Sequence, residues 1–262
     1  MDSNHNKNLV NDVSIEQTLS KVPEVTLIFW LVKIIATTLG ETAGDALSMS
    51  MNLGYLLSSI IFGLIFIVAV TAQIKATKFH PVLYWLTIIA TTTLGTTLAD
   101  FADRSLGIGY LGGTILLFTL LITSLLIWQR TLGSVAVATL YSRKAEMFYW
   151  VTIMFSQTLG TALGDWTADT AGLGYLGAAI IFGGLLLMIV LAYKATKISP
   201  VILFWSAFVL TRPLGAVVGD YLDKPIAHGG LELSRYSASA ALLFFIVLCL
   251  WIFPNKVADK TH

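Results

Sequence analysis

The chain has 262 residues, 56% of them hydrophobic and 12% charged, with a mean hydropathy of +0.80 and a formal net charge of +1. A soluble domain carries about twice that charged share, so the composition excludes an ordinary soluble domain and predicts an integral membrane protein. The single Cys249 excludes an internal disulfide.

Residues 1–22 read as a polar cytoplasmic tail without the apolar core of a cleavable signal. Apolar spans follow at 25–46, 53–74, 82–99, 110–128, 147–164, 175–193, 201–219 and 236–253. Each is near the ~20 residues that cross a hydrocarbon core as a helix, and open strands are excluded because unpaired backbone groups cannot face lipid. The expected fold is all-α: a polytopic membrane protein of eight transmembrane helices. The expected units are a first four-helix half at 23–130, a linker at 131–145, a second half at 146–254 and a cytoplasmic tail at 255–262. Lysine and arginine set the orientation. Lys7, Lys21, Lys75, Lys78, Arg130, Arg143, Lys144, Lys194, Lys197, Lys256 and Lys260 fall on one side, against Arg104, Lys224 and Arg235 on the other. Both termini are therefore expected in the cytoplasm of a bacterial inner membrane, with the odd helices running outward.

The spans repeat. Trp30, Trp85, Trp150 and Trp205 are each followed ten residues later by Gly40, Gly95, Gly160 or Gly215, and five further on by Asp45, Asp100, Asp165 or Asp220. Lys75-Ala76-Thr77-Lys78 recurs as Lys194-Ala195-Thr196-Lys197, each followed by a proline, so a four-helix unit that was itself doubled has been doubled again. Each unit has an even number of helices, so all copies enter the membrane in the same sense, which makes the repeats parallel rather than inverted. Copy four departs from the others in Arg212-Pro213 and in an insertion over 225–235.

These four Trp and Gly-x4-Asp units resemble a bacterial membrane-protein family defined by a four-times-repeated unit of unknown function, whose members are often labelled membrane-anchored proteins. The resemblance covers residues 23–253 and implies topology and repeat boundaries without assigning a chemistry. Glu41-x2-Gly44-Asp45 is also similar to the acidic-Gly-Asp signatures of small manganese and calcium exporters, which are built on inverted repeats.

Aligned on the tryptophans, the copies reveal polar columns four residues apart, hence on one helix face: Thr37, Thr92, Gln157 and Arg212; Glu41, Thr96, Thr161 and Ala216; and Asp45, Asp100, Asp165 and Asp220. Such a stripe should face protein or water, not lipid. With Asp103, Asp169 and Asp223, eight of the fifteen acids lie at the aspartate ends of the odd helices. Converging there, they would concentrate cations. Carboxylates with threonine and glutamine oxygens suit hard cations such as Mg, Ca or Mn, and the four scattered histidines offer no softer site. Carboxylates held close together also make proton binding a rival or partner of metal binding. The alternative for the aspartates is turn chemistry, each closing an Asx-turn between paired helices.

The expected function is transport of a small cation, foremost a divalent metal such as manganese, with proton coupling. Glu41, Asp45, Asp100, Asp165 and Asp220 are the candidate metal ligands, Thr37, Thr92 and Gln157 further ion-binding residues, and Arg212 a gate or counter-ion pairing with a carboxylate of another copy. A cation channel with a pseudo-fourfold aspartate ring and a non-transporting structural protein are the alternatives. No nucleophile, base and orienting partner stand in a recognisable arrangement, so no enzyme is expected, and no cofactor. The expected partners are the lipid bilayer and the cation, with no nucleic acid; a homo-oligomer is compatible with the sequence. Lys33 is expected to snorkel to the cytoplasmic surface, and the tryptophans to form an interfacial belt.

Overall fold

The computed structural model describes residues 21–137, 140 and 142–253. Their helices are α1 (Leu27–Asp45), α2 (Gly54–Lys75), α3 (Pro81–Asp100), α4 (Gly109–Leu132), α5 (Arg143–Asp165), α6 (Gly174–Ala195), α7 (Pro200–Asp223) and α8 (Arg235–Ile252). All except α5 are long and apolar enough to cross a membrane. Helix α5 begins Arg143-Lys144-Ala145-Glu146 and carries Ser156-Gln157-Thr158 inside, which lowers its hydropathy while its place in the repeat stays the same. The tails expected at 1–22 and 255–262 lie outside the described residues apart from Lys21 and Val22. Those two are buried: Lys21 pairs with Glu146 at 2.7 Å, so the last residues of the expected surface tail are docked.

The odd helices α1, α3, α5 and α7 form a closed inner ring, each packed on the next and α7 on α1. Each even helix leans against the odd helix of the following copy: α2 on α3, α4 on α5, α6 on α7 and α8 back on α1. This cyclic exchange places the polar columns around a common axis and leaves the leucine-, isoleucine- and valine-rich faces of the even helices outward, as with Leu64, Val68, Ile180 and Leu187. An apolar surface of that extent belongs against lipid.

Glycine makes the ring tight, because small residues let membrane helices approach backbone to backbone. Gly40 lies against Thr92, Gly95 against Gln157, Gly160 against Arg212 and Gly215 against Thr37, so each copy's glycine receives the next copy's polar residue. A Cβ on Gly95 would stand 2.9 Å from the Gln157 carbonyl carbon.

At the tryptophan end the ring closes on aromatics. Phe29 contacts Trp30 and Trp85; Tyr84 contacts Trp85 and Trp150; Tyr149 contacts Trp150 and Trp205; Phe204 contacts Trp205 and Trp30. Tyr84 and Tyr149 also share a hydrogen bond of 2.7 Å. The tryptophans, three of them buried, thus form an internal collar and not the expected interfacial belt.

At the aspartate end α1, α3 and α5 each continue into a single π-helical turn, Ala46–Ser50, Phe101–Ser105 and Trp166–Thr170. The chain then reverses through two left-handed residues: Asn52 and Gly54, Gly107 and Gly109, or Gly172 and Gly174. Glycine, and less readily asparagine, tolerates that conformation. Copy four lacks the π turn. Its insertion folds back instead, with Leu231 N–H donating to the Tyr221 carbonyl at 2.7 Å and Glu232 N–H to the Lys224 carbonyl at 2.9 Å.

Candidate functional site

From the tryptophan end, the first layer inside the collar is Lys33, Ile88, Ile153 and Phe208, all fully buried. The Lys33 ammonium lies 4.1 Å from the centre of the Phe208 ring and donates to Thr211 Oγ1 at 3.4 Å. It does not reach the surface as expected. It is fully buried, in the layer next to the aromatic collar.

The next layer holds Thr37, Thr92, Gln157 and Arg212, every one buried. Thr37 Oγ1 donates to the Thr211 carbonyl at 3.1 Å. The Thr92 hydroxyl and both amide atoms of Gln157 have no hydrogen-bond partner among the described residues. Arg212 points onward along the axis. Its guanidinium donates from Nη1 and Nη2 to Glu41 Oε2 at 3.0 Å, and from Nη2 to Thr96 Oγ1 at 2.6 Å and to Thr161 Oγ1. It therefore touches all three other inner helices, which puts it on the axis, and it closes the centre of the bundle with the layer of Glu41, Thr96, Thr161 and Ala216. Pro213 follows it within α7, where the missing N–H and the close approach of Gly160 accommodate a large side chain between α5 and α7.

The column aspartates form the last layer, buried to within 3% exposure. They do not stand as four equivalent carboxylates. Arg104 bridges Asp100 at 3.0 Å and Asp165 at 3.1 Å, while Lys224 bridges Asp45 and, at 3.1 Å, Asp220. Arg235 pairs with Asp223 at 3.1 Å and approaches Asp45 to 3.8 Å. The three basic residues at this end are thus all spent on its acids. Burial alone would lower the Lys224 pKa, but Asp220, Asp45 and Asp223 hold it well above the ordinary lysine value. Oxygens of Asp45, Asp220 and Asp223 lie within 4.8 Å of one another, a spacing that could hold a metal ion.

The five carboxylates expected to share one metal site are consequently divided. Glu41 sits a turn deeper with Arg212, Asp45 and Asp220 gather with Asp223 about Lys224, and Asp100 and Asp165 gather about Arg104. Asp169 is exposed. Lys224 and Arg104 were not among the candidate residues, although the signal was in the chain: copies two and four share Asp-x2-Asp followed by a base, Asp100 to Arg104 and Asp220 to Lys224, where copies one and three have Ser48-Met49 and Ala168-Asp169. The site has twofold character inside a fourfold ring.

The family described as a repeat of unknown function (DUF347) matches at residues 28–79, 83–134, 148–199 and 203–256. The chain belongs to that family. Each matched unit starts two residues before a tryptophan and comprises one inner helix, its turn and the following peripheral helix. No curated protein and no solved structure matches the chain.

Proposed function

We propose that this protein is a carrier for a small cation, foremost a divalent metal with manganese as the first ion to test, and that the aspartate end faces outward with both termini in the cytoplasm of a bacterial inner membrane. The observation that carries the reading is the convergence of Asp45, Asp220 and Asp223 oxygens within 4.8 Å around a side-chain cation, Lys224. A pocket of carboxylate oxygens is suited to hard cations. Lys224 acts there as a tethered competitor that an incoming ion displaces, and a displaced or exchanged proton is the natural coupling partner. The orientation rests on the lysine and arginine bias. A carrier is favoured over a pore by three closures on one axis: the aromatic collar, the layer of Ile88, Ile153 and Phe208, and the Arg212–Glu41 pair. A continuous water path with equivalent aspartates would favour the channel.

Uptake of Mn, Mg, Ca and Na ions into proteoliposomes tests the reading. Wild type should accumulate one of them saturably, Asp45→Asn should lose at least about tenfold in uptake with the loss of a charged ligand, and Lys224→Met should saturate at lower ion concentration. Uptake that is indifferent to Asp45→Asn contradicts it. The second reading, a structural protein whose acids only complete ion pairs, draws on the fact that each column aspartate already has a basic partner. It predicts a less stable Asp45→Asn protein and no flux to lose.

A further inference from the structure

Copies two and four correspond across the ring, and so do their ion pairs: Asp100 to Asp220, Asp103 to Asp223, Arg104 to Lys224 and Asp165 to Asp45. At one position they differ. The residue before Tyr236 is Arg235, whose Nε donates to Asp223 Oδ2 at 3.1 Å and whose Nη1 donates to Ser50 Oγ at 3.2 Å, with Asp45 3.8 Å away. The residue before Tyr110 is Gly109. Asp103, the counterpart of Asp223, is 6% exposed, and neither of its oxygens has a hydrogen-bond partner. Its carboxylate is pressed against Gly113 of α4, where a Cβ would collide with it. Around Gly109, by contrast, no atom lies within 4 Å of the place a Cβ would take.

A buried carboxylate without a partner is costly, so its charge is either neutralised by a proton or compensated by a cation. The other half of the molecule uses a cation, and Gly109 offers no side chain to do the same here. We propose that Asp103 anchors a metal-cation site at the position that the Arg235 guanidinium holds in the opposite half. Asp165 and Thr170, the counterparts of Asp45 and Ser50, supply the remaining protein oxygens, and water completes the shell of a hard cation. The two halves of the aspartate end are then chemically unequal: one carries its cation on the chain, the other takes it from solution. The ligand class follows the carrier reading, but binding and transport are separate measurements.

Mn binding to the purified full-length protein in nanodiscs, followed by the electron paramagnetic resonance of free Mn, tests the site. Wild type should bind Mn, Asp103→Asn should weaken its tightest binding at least tenfold, and Asp223→Asn should leave that binding intact. Arg235→Gly, which does not touch Asp103, should leave the Asp103-dependent binding intact and add one bound Mn per chain. Absence of Mn binding by wild type, unchanged binding in Asp103→Asn, or an Arg235→Gly protein with no added site overturns the proposal, and the first two would mean that Asp103 is protonated. Lost binding with retained flux in Asp103→Asn supports this site and leaves the carrier reading standing. Lost flux in Asp45→Asn with unaltered Mn binding in Asp103→Asn supports the carrier and overturns this site.

Discussion

Arg212 and Glu41 meet where four helices converge, with the arginine fully buried and the glutamate nearly so. Their attraction is offset by the cost of removing both charges from water, so the pair is weak evidence for net stability, but deleting one partner strands the other. Arg212→Ala should therefore destabilise the protein by about 3–5 kcal/mol, and Arg212→Ala with Glu41→Gln should recover part of that loss in thermal unfolding of detergent-solubilised protein. Equal stability of the single and double variants would show that the two groups are not coupled. Lys33 is the opposite case, a buried ammonium whose only described contacts are the Phe208 ring and Thr211. Lys33→Met keeps its length and removes its charge, and should stabilise by about 1–3 kcal/mol; a lower unfolding midpoint would assign Lys33 a partner that these contacts do not include. At this scale the sequence made Arg212 legible, because its column and its neighbour Pro213 set it apart. It misled for Lys33, since whether a lysine can snorkel depends on what surrounds the helix and not on its depth along it.

The inner helices owe their spacing to the glycine ten residues after each tryptophan, matched to a polar side chain of the next helix, and in copies one, three and four also to Gly44, Gly164 or Gly219 one turn on. Gly95→Ala would drive a methyl group into the backbone at Gln157 and Thr158, 2.9 and 3.0 Å away, neither of which can yield as a flexible side chain could. Overpacking of this kind costs about 1–3 kcal/mol. Gly183→Ala on α6 meets no atom within 4 Å and should be neutral or stabilising through its helix preference. Equal unfolding midpoints for the two variants would contradict the close packing described for α3 and α5. The repeat register sets these glycines at equivalent places in the four copies. The partner of each could not be read from a single helix, because it depends on the ring closing in the order α1, α3, α5, α7.

Across the whole molecule, four copies of one unit make a ring whose tryptophan end is fourfold and whose aspartate end is twofold. The eight helices, the repeat boundaries and the convergence of the columns were legible because period and spacing survive in each copy. The collar was missed because Phe29, Tyr84, Tyr149 and Phe204 vary in type while sharing an aromatic character, and the cationic bridges because only alternate copies carry them. Those bridges matter most for the account: a ring of four free aspartates would suit a pore, whereas pairs bound to Arg104 and Lys224 along a closed axis suit alternating exposure of an exchangeable cation. Counterflow of Mn in proteoliposomes tests that claim most directly. A carrier predicts that vesicles preloaded with unlabelled Mn take up labelled Mn faster than empty ones, and that Asp45→Asn abolishes the acceleration. Labelled Mn entry that is unaffected by preloading and grows linearly with concentration and voltage, or no entry of any tested cation, would contradict it.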